Sequence, residues 1–443
     1  MSASIREHER KVERIAAQLR RRSHEAPLSL RKRAVSHMVP KANDLCRRDE
    51  KLDLSDLDRI LAIDPARRTC VAEPGVTFVD LVRATLEHGL VPMCVPELET
   101  ITIGGAVCGG SLESMSFRFG GFHDTCLEYE VVTATGEVIT CDPEGDEALL
   151  FQMMHSSFGT LGVLTKLTFR LTPARRFVRL RYEKYATLAG YQAAIMRRFE
   201  RQDVDFVDGI IHAPDEHVLC LGEMVDEAPY TTSYEWLRVY YRSTREREED
   251  YLPIDRYFFR YDRGVTNTFP KSFLGRLLFG RVAGSSAVLR AADRLHFLLP
   301  RRRPPITLDV FVPFSRVPEL LAWHAREVRH FPLWCVPFRR MRRYEWLAPG
   351  IWDGVEDELY LDIAIYGMRQ PDDGRDYYRL IEEQLKRVKG VKTLISYNHY
   401  QESEFWEIWN RENHQRVKSR TDPKGVFRDL FTKTCLTKMG RAA

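Results

Sequence analysis

The sequence predicts an α+β fold in more than one domain, and three observations carry that reading. The first 173 residues alternate strand-like runs with amphipathic helices; six glycines crowd the eighteen positions from Gly104 to Gly121; and from residue 178 the composition shifts to larger aromatic and charged strands and helices. A chain of 443 residues exceeds what one core sustains, so two or three domains are expected, with room to enclose a large cofactor.

Residues 1 to about 24 read as a polar helix whose apolar contacts, Val12, Ile15, Ala16 and Leu19, recur at helical spacing. An irregular stretch to about Asp53 is expected next. DRILAIDPARRTCVAEPG then offers two β-like runs around Asp64-Pro65, and TFVDLVRATLEHG a helix with Thr77 as N-cap and Gly89 at its C-terminal end. LEYEVVTATGEVITC alternates β-formers around Thr135-Gly136, which predicts a hairpin. DEALLFQMMHSSFGTLGVLTKLTFRLTP reads as helix, glycine turn and long strand closed by Pro173. Further strands are expected at 306–314 and 358–367 and a helix at 377–388, the makings of an antiparallel sheet with one face free to roof a site.

Composition excludes several classes. Hydrophobic content of 44% and 29% charged residues describe an ordinary soluble globular chain. Nine scattered cysteines form no CxxC pair and no metal-ligand spacing, so no metal site is predicted. The start MSASIREHERKVERIAAQLRRR lacks the apolar core of a signal peptide and no apolar run is long enough for a bilayer, which predicts a reducing, cytoplasmic setting. From Arg256 to Arg303, arginines interleave with Tyr257, Phe258, Phe259, Phe273, Phe279 and Phe297. That stretch reads as a solvated surface or as a peripheral membrane contact; without a nucleic-acid motif, nucleic acid is not expected.

ITIGGAVCGGSLES is neither GxGxxG nor a Walker loop. Its glycines at 104, 105, 109 and 110 free consecutive backbone amides to form a nest for pyrophosphate oxygens, flanked by hydroxyls at Thr102, Ser111 and Ser114. SSFGTLG, at 156–162, supplies a second close-approach edge.

The ordered set VPELETITIGGAVCGGSLES, FRFGGFHDTCLEYEVVTATGEV, LFQMMHSSFGTLGVLTKLTFRL and RTDPKGVFRDLFTK resembles the FAD-binding domain of the vanillyl-alcohol-oxidase-like, PCMH-type flavoproteins. DFVDGIIHAPDEHVL, HFPLWCVPFRR, ELYLDIAIYG and EFWEIWN extend the likeness to the Δ24-sterol reductase (diminuto) branch and its bacterial relatives. The resemblance implies a two-domain PCMH-type fold: residues 1–175 for FAD, 176–400 as a substrate or cap domain on an antiparallel sheet covered by helices, and 401–443 returning to the FAD domain. It carries the cofactor contacts onto Thr102, Ile103, Gly104, Gly105, Gly109, Gly110, Ser111 and Ser114, then Ser116, Gly120 and His123, and from the second turn Thr160, Leu161 and Gly162. Where many relatives have an Arg-Gly-Gly-Gly-His loop that binds FAD covalently, this chain has SHMVPKAND, so His37 is a poor covalent site and noncovalent FAD is expected. The branch's N-terminal membrane helix has no counterpart here.

The implied activity is reduction of a carbon-carbon double bond in a lipid, a sterol or an unsaturated or methylene-bearing fatty acyl chain, with NADPH as donor. An alcohol oxidase and a non-catalytic lipid-binding module are the competing readings. Alkene reduction needs an acid across the double bond from the flavin. Candidates are Asp362 and Tyr366, which alternation places on one face with Tyr360 and Ala364, and Tyr397, His399 and Tyr400. His155 reads equally as structural or as a flavin contact.

Overall fold

The computed structural model describes residues 3–22, 26–236, 238–262, 285–299 and 303–440. Helix α1 (Ala3–Arg20) turns Val12, Ile15, Ala16 and Leu19 onto Val132, Ala134 and Val163. Its other side is buried too: His8 lies 2.9 Å from both Glu73 and Glu130, and Lys11 Nζ 2.9 Å from Glu73. The expected irregular stretch to Asp53 instead contains β1 (Leu28–Arg31) and β2 (Glu50–Asp53), paired in parallel. Strands of four residues are too short to leave a readable period.

The first large sheet follows the predicted order. β3 (Ile60–Asp64) and β4 (Thr69–Ala72) flank the Asp64-Pro65 turn, and α2 (Phe78–Leu86) starts at Thr77, whose Oγ1 accepts from Asp80 N. Gly89, at φ +68°, turns the chain into β5 (Leu90–Pro92). The glycine-rich segment folds into α3 (Ile103–Gly109) and α4 (Ser116–Phe119). β6 (Cys126–Val132) and β7 (Val138–Cys141) form the hairpin, followed by α5 (Ala148–Met154) and β8 (Val163–Pro173). The strand order is β3-β4-β8-β6-β7 with β5 also on β8, antiparallel throughout. The C-terminal helix Arg411–Thr421 returns to this body: Ala134 N donates to Thr421 O (2.8 Å) and Leu28 N to Val426 O (2.9 Å).

The second sheet is built from β9 (Phe177–Tyr185), β10 (Phe206–Ala213), β11 (Glu216–Val225), β12 (Glu249–Pro253), β13 (Ile306–Pro313), β14 (Leu333–Arg339), β15 (Leu359–Met368) and β16 (Val391–Lys392). Its order is β12-β9-β11-β10-β14-β15-β13-β16, again antiparallel. Alternation divides its two faces. Val207, Leu308, Val310, Cys335, Leu361 and Ile363 pack under α6 (Leu188–Arg201) and the helices Val317–Glu327 and Tyr377–Arg387. Phe206, Ile210, Trp334, Val336 and Ala364 point the other way, into one cluster with Ile103, Val107 and Phe122. Burying each such side chain contributes about 1.5–3 kcal/mol, so this shared core fixes the sheet over the glycine-rich segment.

One expectation is corrected here. Of the basic stretch 256–303, Tyr257, Phe258, Arg260 and Tyr261 are buried in the joint between the two bodies, not turned to solvent or lipid. Arginines matched to buried carboxylates by the fold look identical, in sequence, to surface ones. Residues 263–284 and 300–302 of that stretch lie outside the described residues. No helix among the described residues is long and apolar enough to cross a membrane.

The seat of α1 yields a pH prediction. Burial disfavours the His8 charge, but hydrogen bonds to Glu130 and Glu73 outweigh it and raise the imidazole to about 9. A raised value means the bridge stabilises fully below the unfolded value of 6.5 and is lost as pH climbs through about 9, a contribution of about 3 kcal/mol. The urea midpoint of the wild type is therefore expected to fall between about pH 7 and about pH 9.5, and that fall to flatten in His8→Asn.

Candidate flavin and substrate site

The glycines of residues 104–121 prove to have different jobs. Thr102 caps α3, its Oγ1 accepting from Gly105 N at 3.2 Å, so the segment is a short capped helix rather than an open nest. A Cβ on Gly104 would stand 2.5 Å from Pro74 Cβ; Gly104 is bare so that α3 can seat on Pro74, and Ile103 beside it is fully buried. Gly109 meets nothing within 4 Å, and a Cβ on Gly105 would approach only Thr102 Oγ1 (3.1 Å) and Lys32 Nζ (3.5 Å). Gly110 and Gly120 take φ of +75° and +73°, which L side chains resist.

Lys32 is the informative neighbour. Its Nζ donates to Thr102 Oγ1 at 3.3 Å, no carboxylate partner accompanies it among the described residues, and burial lowers it to about 8. A half-buried ammonium with no carboxylate partner among the described residues, against a backbone stripped of side chains, is a place for an anion. His37 completes the wall: Nε2 is 3.0 Å from Thr100 Oγ1, and burial, then Lys32, push the imidazole down to about 4. The diphosphate of FAD fits this cradle in charge and in the space left bare.

Beyond Gly110 the segment is gripped by the second sheet. Val207 N donates to Ser114 O (2.8 Å) and Tyr257 OH to Ser114 Oγ (3.0 Å), while Ser116 Oγ accepts from Glu113 N (2.9 Å) and Ser111 O from Phe122 N (3.1 Å). Glu113 itself lies 3.2 Å from Arg260, whose guanidinium is fully buried and stands 3.0 Å from Asp208 on β10. Asp208 also accepts from Tyr261 OH (2.7 Å) and Trp334 Nε1 (3.0 Å).

His123 is buried with neither ring nitrogen hydrogen-bonded; its Nε2 passes 3.3 Å from Asp124, and burial lowers its proton affinity. Its ring packs 4.8 Å from that of His155, which is hydrogen-bonded to Tyr129 OH (3.0 Å) and held neutral by burial. The second turn is engaged by protein. Thr160 Oγ1 donates to Ser157 O (2.7 Å), its carbonyl accepts from Lys418 Nζ (3.0 Å), Leu161 is fully buried, and a Cβ on Gly162 would meet Val131 at 2.8 Å.

Facing this wall, β13, β14 and β15 present Asp309, Phe311, Val336, Phe338, Tyr360, Asp362, Ala364 and Tyr366 on one side. Asp362 and Tyr366, expected as acids, are brought together with two carboxyls that sequence reasoning missed, Asp309 and Glu97. Tyr366 OH donates to Asp309 Oδ1 at 2.5 Å. Burial pushes Asp309 up to about 6 and Glu97 up to about 8; Asp362 is driven well above the carboxylate range by burial, Asp309 and Glu97. Asp362 Oδ1 is buried without a hydrogen-bond partner. Asp309 occupies the third odd position of the predicted strand ITLDVFVPF counted back from Pro313, a polar residue on the inner alternation; Glu97, in VPELET, had no period to mark it.

Tyr397 and His399 are not in this group. Tyr397 lies 4.8 Å under Lys41, and His399 Nδ1 bonds Asp376 at 2.5 Å beside the helix Tyr377–Arg387. Tyr400 packs on Trp409 and Phe405. Next to Asp362 the same sheet face opens into a small cavity of about 50 Å³, lined mainly by apolar and aromatic groups from Gly110, Leu112 and His123 across to Phe338, Trp352 and Tyr360.

Comparison with known proteins agrees with this geometry. Residues 10–142 match the family model described as an FAD binding domain. Cradle, facing sheet and match define an FAD-binding oxidoreductase of the PCMH type. Over most of its length the chain is sterol-reductase-like: it is 26% identical to human Delta(24)-sterol reductase across 88% of this chain and 78% of that protein, and 24% identical to the Arabidopsis thaliana Delta(24)-sterol reductase across 88% and 77%. Cytokinin dehydrogenase 7 of rice (Oryza sativa subsp. japonica) is similar over a shorter region, 30% identical across 35% of this chain and 29% of that protein.

Two variants test the cradle. Gly105→Leu puts a side chain between Thr102 and Lys32 and is expected to purify without flavin absorbance while remaining folded. Lys32→Gln should keep FAD but bind it about ten- to a hundredfold more weakly, read by fluorescence titration.

Proposed function

We propose that the protein reduces an isolated carbon-carbon double bond in a lipid, taking its electrons from NADPH and holding FAD noncovalently. In this reading residues 1–175 and 401–443 form the FAD-binding part and residues 176–400 the cap. The observation that carries it is Asp362, a carboxyl kept protonated by burial, unpaired at Oδ1, beside an apolar cavity and across from the flavin wall. FAD, when bound, supplies a hydride to one alkene carbon. The other carbon needs a proton, and Asp362 holds one on a side chain that is only 7% exposed. Asp309, which accepts from Tyr366 OH and lies diagonally across from Asp362 on β13, is the group placed to restore that proton. Phe338, Trp352 and Tyr360 keep water from the site and orient an apolar chain.

The names of the relatives supply the substrate of first choice, a sterol with a Δ24 double bond. A second reading, an unsaturated or methylene-bearing acyl chain of a phospholipid, is favoured by Arg340 in the cavity wall. Its Nε and Nη2 donate to the carbonyl of Asp357 and its guanidinium lies 5.0 Å over the Trp352 ring, with no carboxylate ion pair among the described residues, which leaves its charge to meet an anionic headgroup.

The test is an anaerobic NADPH titration followed by product analysis with each lipid. The flavin bands are expected to bleach and a saturated product to form; bands that persist would remove NADPH, and reduced flavin that leaves both lipids untouched would remove alkene reduction. Asp362→Asn should still bind FAD and bleach, but lose about 10²- to 10⁴-fold in product formation. Because the Asp362 carboxyl is raised, the wild-type rate should fall as pH climbs through its titration, and that limb should vanish in the variant.

A further inference from the structure

Eight large hydrophobic side chains are exposed among the described residues, and four of them, Val288, Leu295, Phe297 and Leu298, fall within one eleven-residue stretch. Chance scatter of single apolar residues over a surface is ordinary; a contiguous group is not. The helix Ser285–Arg294 sets Val288, Ala291, Ala292 and Leu295 along one stripe, with Arg290 and Arg294 on the opposite side, and the turn His296–Leu298 extends the stripe with two side chains that are 58% and 69% exposed. Asp293 is tied to Arg47 at 2.9 Å, which anchors the helix to the turn Leu45–Arg48 by its polar side. Arg290 and Arg294 are exposed and have no carboxylate partner among the described residues.

We propose that residues 288–298 form a membrane-docking edge for the surface of a bilayer containing anionic lipid. The four side chains offer on the order of 400 Å² of apolar area, short of the ~800 Å² that each partner commits in a stable protein complex, so a second copy of this chain is the poorer occupant. Apolar tips with arginines that have no carboxylate partner among the described residues suit a headgroup interface, where the tips enter the acyl boundary and the guanidinium groups meet phosphates. The edge is distinct from the buried part of the basic stretch, where Arg260 is consumed by Glu113 and Asp208. The lipid-substrate reading explains why such an edge is useful, but the docking is inferred from exposure and charge alone.

The test is co-sedimentation of the full chain with vesicles of phosphatidylcholine, with and without phosphatidylglycerol, scored on protein mass so that turnover plays no part. Wild type is expected to bind the phosphatidylglycerol vesicles and to release them in high salt. Phe297→Ser/Leu298→Ser should weaken that binding by about tenfold or more. Arg290→Gln/Arg294→Gln should remove most of the preference for phosphatidylglycerol. Both variants alter exposed side chains, and equal flavin absorbance per protein checks that they fold. Wild type that stays in the supernatant with both vesicles overturns the proposal, as does a Phe297→Ser/Leu298→Ser protein that binds like wild type. A wild-type dimer that ignores vesicles and becomes monomeric in that variant would assign the edge to self-association instead.

Discussion

The guanidinium of Arg260 sits fully buried between Glu113, on the glycine-rich segment, and Asp208, on the second sheet, and the placement of the flavin wall against the roofing strands hangs on that contact. Dehydrating three charges is expensive, and such a cluster is a poor source of net stability compared with well-packed hydrocarbon. Its value lies in direction. Arg260 is stacked 4.0 Å over Tyr257 and lies close to Tyr240 and Tyr261, so the guanidinium plane is fixed before either carboxylate meets it. Removing one partner would strand the others uncompensated, at about 3–5 kcal/mol, so the two bodies are held in the register that brings the guanidinium within 3.2 Å of Glu113 and 3.0 Å of Asp208. Val207 and Tyr257 then bond Ser114, which transfers that register to the backbone beside the cofactor cradle.

Closure that excludes water acts with opposite sign on the two walls. On the cradle side, burial weakens the hold of Lys32, His37 and His123 on their protons, so the histidines stay neutral and Lys32 is primed to gain from an anion. On the sheet side, the same loss of water makes Asp362 and Glu97 hold their protons and lifts Asp309 to about 6. One wall therefore awaits negative charge and the other stores protons. An ammonium without a counter-charge among the described residues is unfavourable until an anion meets it, whereas acids kept protonated by burial are a store of protons on the opposite wall.

Much of the architecture was legible because it rests on local periodicity. The contacts of α1, the hairpin at Gly136, β8 ending at Pro173, and the strands carrying Asp309 and Asp362 all follow from spacing that one segment reveals. What escaped depends on pairs distant in sequence. Arg260 meets Glu113 across 147 positions and Asp208 across 52, and no local pattern distinguishes it from exposed Arg256, whose partner is Glu235. Lys32 gains its meaning only beside Thr102, and Glu97 only among carboxyls of the other body. Likewise, the glycines looked alike in sequence, yet Gly104 serves Pro74 while Gly105 and Gly109 leave a face open.

The location of Asp362 in the middle of a sheet, rather than on a loop, carries a mechanistic consequence. A strand side chain between Phe311 on β13 and Val336 on β14 is kept from bulk water, so in the proposed reduction it could not collect a proton there. Its resupply has to run along groups that share its face. Ala364 carries none, which leaves Tyr366, whose hydroxyl is already committed to Asp309, as the next proton-bearing group on the strand. Asp309 accepts that hydroxyl and its backbone is tied to Thr393, on the chain leaving β16, so the pair is held in place rather than free to rotate. A carboxyl at about 6 exchanges protons near neutrality while Asp362, held well above the carboxylate range, retains its own, the difference on which the proposed reduction would draw. The two acids are equally buried, so their ordering follows from the hydrogen bonds that Asp309 accepts from Tyr366 and Thr393 and from the repulsion that Asp309 and Glu97 exert on Asp362.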